Sequence, residues 1–402
     1  MEQKKPRILS YAVFGATLIV VVINLVSLLF PALLFSTISE IESEVDPFEL
    51  GAWAVPFLVV NLLLLGFGVL YYKKKMPNIV KKLADSILKF EVSRKASTTI
   101  IIILLFSYIV YAAQDLRIYE ATQWEDFQRI EKIVNEYPTG EIRGVGNLAA
   151  YHVTNSLLKI SNAVLQNIKV IPFIASICLL LLTYFFTVEI SQKRFAGIVT
   201  VIIMLQSFNF HRYDTLATYP NFWILFYLLS LYLILKKPYL SSIAYFLSIF
   251  SKALTAQFLP MSLFFIYNEK LPMKKKIYNI IPYIVAIVIV GALMLSGVNL
   301  AATNVGAYSN YDFIRGFTTF AYQLRADWLV LIFLLPLTFA LFLKSRKGLR
   351  VADSILVLIL GGALSAPLLA GFTGFNIFPY RFMPLIVFFA VGVGTLLAKK
   401  IN

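Results

Sequence analysis

The sequence predicts an all-α integral membrane protein of about twelve transmembrane helices, and three observations carry that expectation. Hydrophobic residues form 59% of the 402 residues and charged ones only 14%, with a mean hydropathy of +0.79; ordinary globular chains carry a much larger charged share. Apolar runs close to the ~20 residues that cross a hydrocarbon core recur along the chain. The basic residues behind the net charge of +15 fall in short clusters between those runs. No basic face interleaved with aromatics remains outside the clusters, so nucleic acid is not a partner.

Taken in order, the apolar segments fall near 9–36, 51–72, 98–114, 168–190, 196–210, 222–235, 239–251, 253–268, 279–296, 327–343, 351–370 and 382–398. The pair at 239–268 also reads as one bent or re-entrant hairpin. The first segment follows Lys4, Lys5 and Arg7 without a small-residue cleavage site, so it reads as a retained span and not as a signal peptide. Cys178 is the single cysteine and lies within an apolar run, which excludes an internal disulfide and a cysteine metal site.

Charge sets the orientation. With the N-terminus inside, alternate loops carry Lys73, Lys74 and Lys75; Lys193 and Arg194; Lys236 and Lys237; Lys274, Lys275 and Lys276; and Lys344, Arg346, Lys347 and Arg350. The chain ends on the same side with Lys399 and Lys400, while the opposite side holds acidic stretches such as 40–49. Lys/Arg excess marks the cytoplasmic face, so both termini are expected there, in a cell (plasma) membrane.

Two polar segments stand out. On the inner side, 73–97 sets Ile79, Val80, Leu83, Ile87 and Leu88 at helical spacing among lysines, the pattern of an interfacial helix drawn to anionic headgroups. On the outer side, 115–167 is the longest non-spanning stretch. Trp124, Phe127, Ile130, Val134 and Tyr137 recur there at three- and four-residue steps, predicting a helix lying along the membrane. Thr122 and Glu125 fit a capping box that would start it, and Pro138-Thr139-Gly140 would end it. Leu148, Tyr151, Leu157 and Ile160 predict a second interfacial helix.

The candidate site residues are outer polar groups. Glu125 and Asp126 sit in a first turn, where a carboxylate is suited to take a proton from a hydroxyl. A structural reading competes: capping for Glu125, pairing with Arg129 for either acid, and favourable dipole placement for both. Capping does not account for Asp126, which makes it the better candidate base. Asp115 and Arg117 follow a span end and read equally as an interfacial anchor pair. His152 and His211, the only histidines, both fall on the outer side. His211 opens the polar turn His211-Arg212-Tyr213-Asp214. Arg381, after Tyr380, is less expected on the outer edge, and Arg grips phosphate with paired hydrogen bonds. Lys252 lies at the tip of the 239–268 hairpin, where snorkelling is the ordinary explanation. Two outer acids have the chemistry to hold a divalent cation, but no spacing here is diagnostic of one. The Gly392-Val393-Gly394 stretch lies within a span and reads as easing helix packing.

The order of these features resembles a known family. An outer loop carries Trp124-Glu125-Asp126-Phe127, followed by an amphipathic stretch at 147–164. A span then ends inside at Gln192-Lys193-Arg194-Phe195. Phe210-His211-Arg212-Tyr213-Asp214, Leu231-Tyr232 and Ser251-Lys252-Ala253-Leu254 come next, and Pro379-Tyr380-Arg381-Phe382-Met383-Pro384-Leu385 is similar to a last-span signature. Together they resemble the GT-C membrane glycosyltransferases, most closely the dolichyl-phosphate-mannose–protein mannosyltransferase-like group, over roughly 98–400. The resemblance implies a GT-C-like catalytic core at 98–402 behind an N-terminal two-span extension at 1–97. It implies a polyprenyl-phosphate-linked sugar donor, inversion at the anomeric carbon and a protein, glycan or lipid acceptor. Asp126 or Glu125 would be the base. Arg381, with His211, Arg212 or Lys252, would hold the departing phosphate, and Asp115, His152, Asp214 and Tyr380 would line the site. The chain has Glu-Asp where the family commonly has Asp-Glu, which leaves the base open between the two acids.

Two other classes compete. A twelve-span secondary transporter would place its longest loop centrally inside and ionisable groups at mid-membrane, and this chain does neither. A lipid-linked polysaccharide ligase or polymerase would favour a pair of outer arginines over an outer acid.

Overall fold

The computed structural model describes residues 8–36, 46–73, 75–124, 126–136, 151–269, 271–295, 308–374 and 378–399. Long apolar runs have one economical way to satisfy their backbone away from water, the helix, in which every bond closes within the segment. No strand occurs among the described residues. The helices are α1 (Ile8–Leu29), α2 (Pro31–Ser36), α3 (Ala54–Tyr72), α4 (Asn78–Lys89), α5 (Arg94–Ala112), α6 (Asp126–Glu136), α7 (His152–Leu165), α8 (Val170–Ser191) and α9 (Arg194–Leu205). They continue with α10 (Phe208–Tyr213), α11 (Phe222–Lys236), α12 (Pro238–Ser251), α13 (Leu259–Asn268), α14 (Met273–Leu295), α15 (Asn310–Gln323), α16 (Trp328–Arg346), α17 (Val351–Thr373) and α18 (Met383–Leu396).

Seven described helical stretches are long and apolar enough to cross a membrane: α1, α3, α5, α8, α16, α17 and the segment Pro379–Leu396 that contains α18. The expected apolar segments all fall on helix, with local departures. The run at 196–210 divides between α9 and α10, and the run at 253–268 opens as a 3-10 helix, Ala253–Phe258, before α13. Lys252 is extended at φ −161° and separates α12 from that turn.

The chain divides into two compact units. Unit 1 comprises 1–99, 187–209 and 306–402. Within it α17 packs on α1, α15, α16 and α18, α18 also packs on α9, and α3 packs on α16. Polar side chains bridge these apolar helices: Asn61 Nδ2 donates to the Ile332 carbonyl at 3.0 Å, Thr200 Oγ1 to Ala390 at 3.3 Å, and Ser10 Oγ to Asp353 Oδ2 at 2.8 Å. Where lipid replaces water, such bonds and close backbone approach hold helices together. Gly316 on α15 faces Pro367 on α17 so closely that any side chain would strike the Pro367 backbone, and a Cβ on Gly394 would meet Thr200 and the Ala196 carbonyl.

Unit 2 comprises 100–186 and 210–305. Here α12 packs on α7, α11 and α14, and α6 packs on α7. The basic amphipathic segment, in unit 1, forms α4, and Ile79, Leu83 and Ile87 on it are exposed.

The outer loop corrects two expectations. The regular helix begins at Asp126, not after Thr122, because residues 120–122 close into a 3-10 turn and the Thr122 hydroxyl donates back to the Tyr119 carbonyl at 2.8 Å. The apolar face of α6 also meets protein and not lipid: Phe127, Ile130 and Val134 are buried against Leu158, Ala175, Ala217 and Phe222. On α7, Leu158 is fully buried while Ile160 is exposed. The expected contributions of Glu125, Tyr137, Pro138-Thr139-Gly140 and Leu148 lie outside the described residues, as do Lys74, Lys400 and most of the acidic stretch at 40–49.

Gly316→Leu should destabilise the protein by about 1–3 kcal/mol through overpacking, read as a lower melting temperature in detergent. Gly66→Leu, whose position has open space around it, should leave melting unchanged.

Candidate functional site

The site in unit 2 is built on a clamped loop. Glu120 is buried at 1% exposure. Its Oε1 accepts the Ala217 N–H at 2.6 Å, and its Oε2 accepts the Thr218 N–H at 3.1 Å and the Thr218 hydroxyl at 2.7 Å. One carboxylate thus fastens the loop after α5 to the loop after α10. Lys169, just before α8, donates to the carbonyls of Asp115 and Ile118, the latter at 3.0 Å. Ser176 on α8 donates to the Asp214 carbonyl at 2.7 Å, and Asn221 Nδ2 donates to the Ser176 hydroxyl and the Tyr213 carbonyl. The loops after α5 and α10 are therefore held against each other by polar contacts among buried groups, where such bonds are strong and costly to break.

The clamp sets an aromatic platform beside Asp126. Tyr219 donates its hydroxyl to Asp126 Oδ2 at 2.8 Å. The Trp124 ring meets Tyr219 edge-on at 5.2 Å between centroids and Tyr213 at 5.8 Å. Two cations lie over neighbouring rings of this cluster, each over its own. The Arg212 guanidinium is 5.3 Å from the Trp124 centroid, and Lys252 Nζ is 5.8 Å from that of Tyr219 and 5.7 Å from that of Trp223. Cation–π placement fixes a positive charge against an aromatic face. Trp124 Nε1 is buried with no hydrogen-bond partner among the described residues, which leaves a donor directed into this cluster.

Asp126 also pairs with Arg129 at 3.8 Å, with side-chain exposures of 41% and 77%. That is the ordinary partner the spacing suggested. A contact so long and exposed contributes little to stability, and the carboxylate stays reachable from outside.

The remaining candidates take separate places. His211 Nδ1 lies 3.6 Å from Asp214 Oδ2, which also accepts the Tyr108 hydroxyl at 2.9 Å, and its ring meets Tyr111 at 5.4 Å. His211 and Asp214 thus contact Tyr108 and Tyr111 on α5. Burial raises the Asp214 carboxyl above its ordinary range, against the opposing hydrogen bonds of His211 and Tyr108. The Asp115 carbonyl takes the Lys169 ammonium. His152 starts α7 with its ring 6.3 Å from Phe250, and Thr154 two residues on donates to the Ser251 carbonyl beside Lys252. Tyr380 and Arg381 belong to unit 1. Arg381 is 8% exposed, and its guanidinium bonds the Tyr380 hydroxyl at 3.4 Å while lying 5.7 Å from that ring.

Asp126, Arg212 and Lys252 are thus brought onto one platform. Sequence reasoning missed Tyr219, Trp223, Glu120 and Lys169 as parts of it. Among the described residues no group of three or more His, Cys, Asp or Glu side chains could hold a metal ion. Comparison with protein-family models, with curated proteins and with solved structures gave no match to the chain.

Burial holds the Glu120 carboxyl above its usual range, and the bonds from Ala217 and Thr218 only partly oppose this. The folded chain therefore keeps this proton to higher pH than the unfolded chain does. The stability it contributes is complete below the ordinary carboxylate pKa and is lost as pH rises through the raised one. Melting temperatures across this window should fall less steeply in Glu120→Gln than in the wild type. Equal slopes would contradict the assignment.

Proposed function

We propose that the chain is a membrane glycosyltransferase that moves a sugar from a polyprenyl-phosphate donor to a hydroxyl acceptor at the outer face of a cell membrane. The single observation that carries this reading is the pair of touching rings, Trp124 under the Arg212 guanidinium and Tyr219 under the Lys252 ammonium, with the Tyr219 hydroxyl on the Asp126 carboxylate. Transfer from a lipid phosphate needs a base and a counter-charge, and these residue types supply both.

In the proposed reaction Asp126 takes the proton of the acceptor hydroxyl as its oxygen attacks the anomeric carbon. The bond from that carbon to the phosphate oxygen breaks on the opposite side, with inversion, and the electron pair leaves with the polyprenyl phosphate. Arg212 and Lys252 stabilise the charge that grows on the phosphate, an effect strongest where water is scarce. The Tyr219 hydroxyl holds the carboxylate in one orientation. Arg381 enters the proposal through the family resemblance, as a further phosphate ligand. A twelve-span GT-C-like topology with both termini cytoplasmic belongs to the same proposal and is supported by the seven long apolar helices and the alternation of basic loops.

Asp126→Asn should lower sugar transfer from a polyprenyl-phosphate donor by about 10²–10⁴-fold with normal expression and membrane insertion. Full turnover in Asp126→Asn combined with Glu125→Gln would remove the mechanism. Arg381→Ala should weaken use of the donor by roughly 2–5 kcal/mol, the cost of unpairing a desolvated charge, and an unaltered KM for donor would remove Arg381 from the site.

A further inference from the structure

Unit 1 contains a groove that the transfer reaction does not use. Its volume is about 810 Å³, within the range of small-molecule sites, and its wall is formed by α3, α9, α16 and α18 through residues such as Gly68, Ile203, Pro336 and Val393. The sequence itself opens it. Gly68 has no atom within 4 Å of where a side chain would begin, and Pro336 lies inside α16, where a proline removes a backbone bond and bends the helix. Of these, α3, α16 and the stretch containing α18 have membrane-spanning length and composition, and α9 is a shorter apolar helix. An apolar groove on such a surface is filled by hydrocarbon, since water gains nothing there.

The lining is apolar apart from one end. Lys73 closes the C-terminus of α3, Arg346 is in the last turn of α16, and both line the groove. The Arg346 guanidinium is held 5.5 Å from the Tyr11 ring centroid, so its position is fixed by an aromatic face and not by an acid. Either cation alone is explained by the helix dipole. Two cations at the same end of one hydrocarbon-lined groove are complementary to a molecule with an apolar tail and an anionic head, as basic pockets between transmembrane helices are.

We propose that this groove binds an anionic glycerophospholipid, with an acyl chain along the wall and the headgroup phosphate between Lys73 and Arg346. The occupant is a membrane lipid and not the sugar donor, because the two cations stand at the end that the basic loops assign to the cytoplasmic leaflet.

Native mass spectrometry of the full-length protein, purified from mixed phosphatidylcholine–phosphatidylglycerol nanodiscs, tests this. The wild type should retain phosphatidylglycerol over phosphatidylcholine through delipidation. Lys73→Gln with Arg346→Gln should cut that preference by about tenfold, a change of ~1.4 kcal/mol. Val69→Trp, which leaves both charges and fills the groove, should do the same, and Lys275→Gln should not. Equal retention of the two lipids by the wild type would overturn the proposal. So would preference undiminished in Val69→Trp, which would put the lipid at the cations but outside the groove.

Discussion

The Glu120 carboxylate, buried between two loops, is the contact on which the candidate site depends. It accepts from the Ala217 and Thr218 backbone and from the Thr218 hydroxyl, residues nearly a hundred positions away in the chain. It fixes the backbone next to Tyr219, whose hydroxyl meets Asp126 and whose ring packs on Trp124. Lys169 and Ser176 brace the same two loops from α8. The arrangement follows a general rule for polar groups removed from water: one acceptor left unpaired costs more than a paired one contributes. A loop pair so constrained has one arrangement of low energy, and the aromatic rings beside it inherit that rigidity.

The same rule shapes unit 1 in another way. Its long packed helices are mostly apolar, so specificity of packing comes from small residues and a few side-chain bonds. Gly316 against Pro367 and Gly394 against Thr200 let backbones approach, while Asn61 and Thr200 reach carbonyls on neighbouring helices. Where α3 and α16 leave space instead, at Gly68 and Pro336, the surface opens into the groove that ends at Lys73 and Arg346.

What the sequence discloses is set by how local each signal is. Apolar length and basic clusters are local, and the expected runs fall on helix. The spacing of Ile79, Leu83 and Ile87 is local, and α4 forms there with these side chains exposed. Asp126, Arg212 and Lys252 were legible as outer charges, and the fold brings them to neighbouring rings. Tyr219 and Glu120 were not legible, because their partners lie 93 and 97 residues away and no spacing reports them. The capping motif at Thr122 failed because a 3-10 turn bound its hydroxyl first. The amphipathic period of α6 was right, yet periodicity records only that a face is buried. It does not distinguish lipid from the protein surface formed by Leu158, Ala175 and Phe222.

The central claim is that cations fixed over Trp124 and Tyr219 receive a lipid phosphate. Titration of polyprenyl monophosphate, the released product, into the purified chain in detergent measures this without any acceptor. The account predicts a Kd weakened by about tenfold or more in both Arg212→Met and Lys252→Met, with Asp126→Asn binding at least as well as the wild type. Undiminished affinity in both cation variants would contradict it.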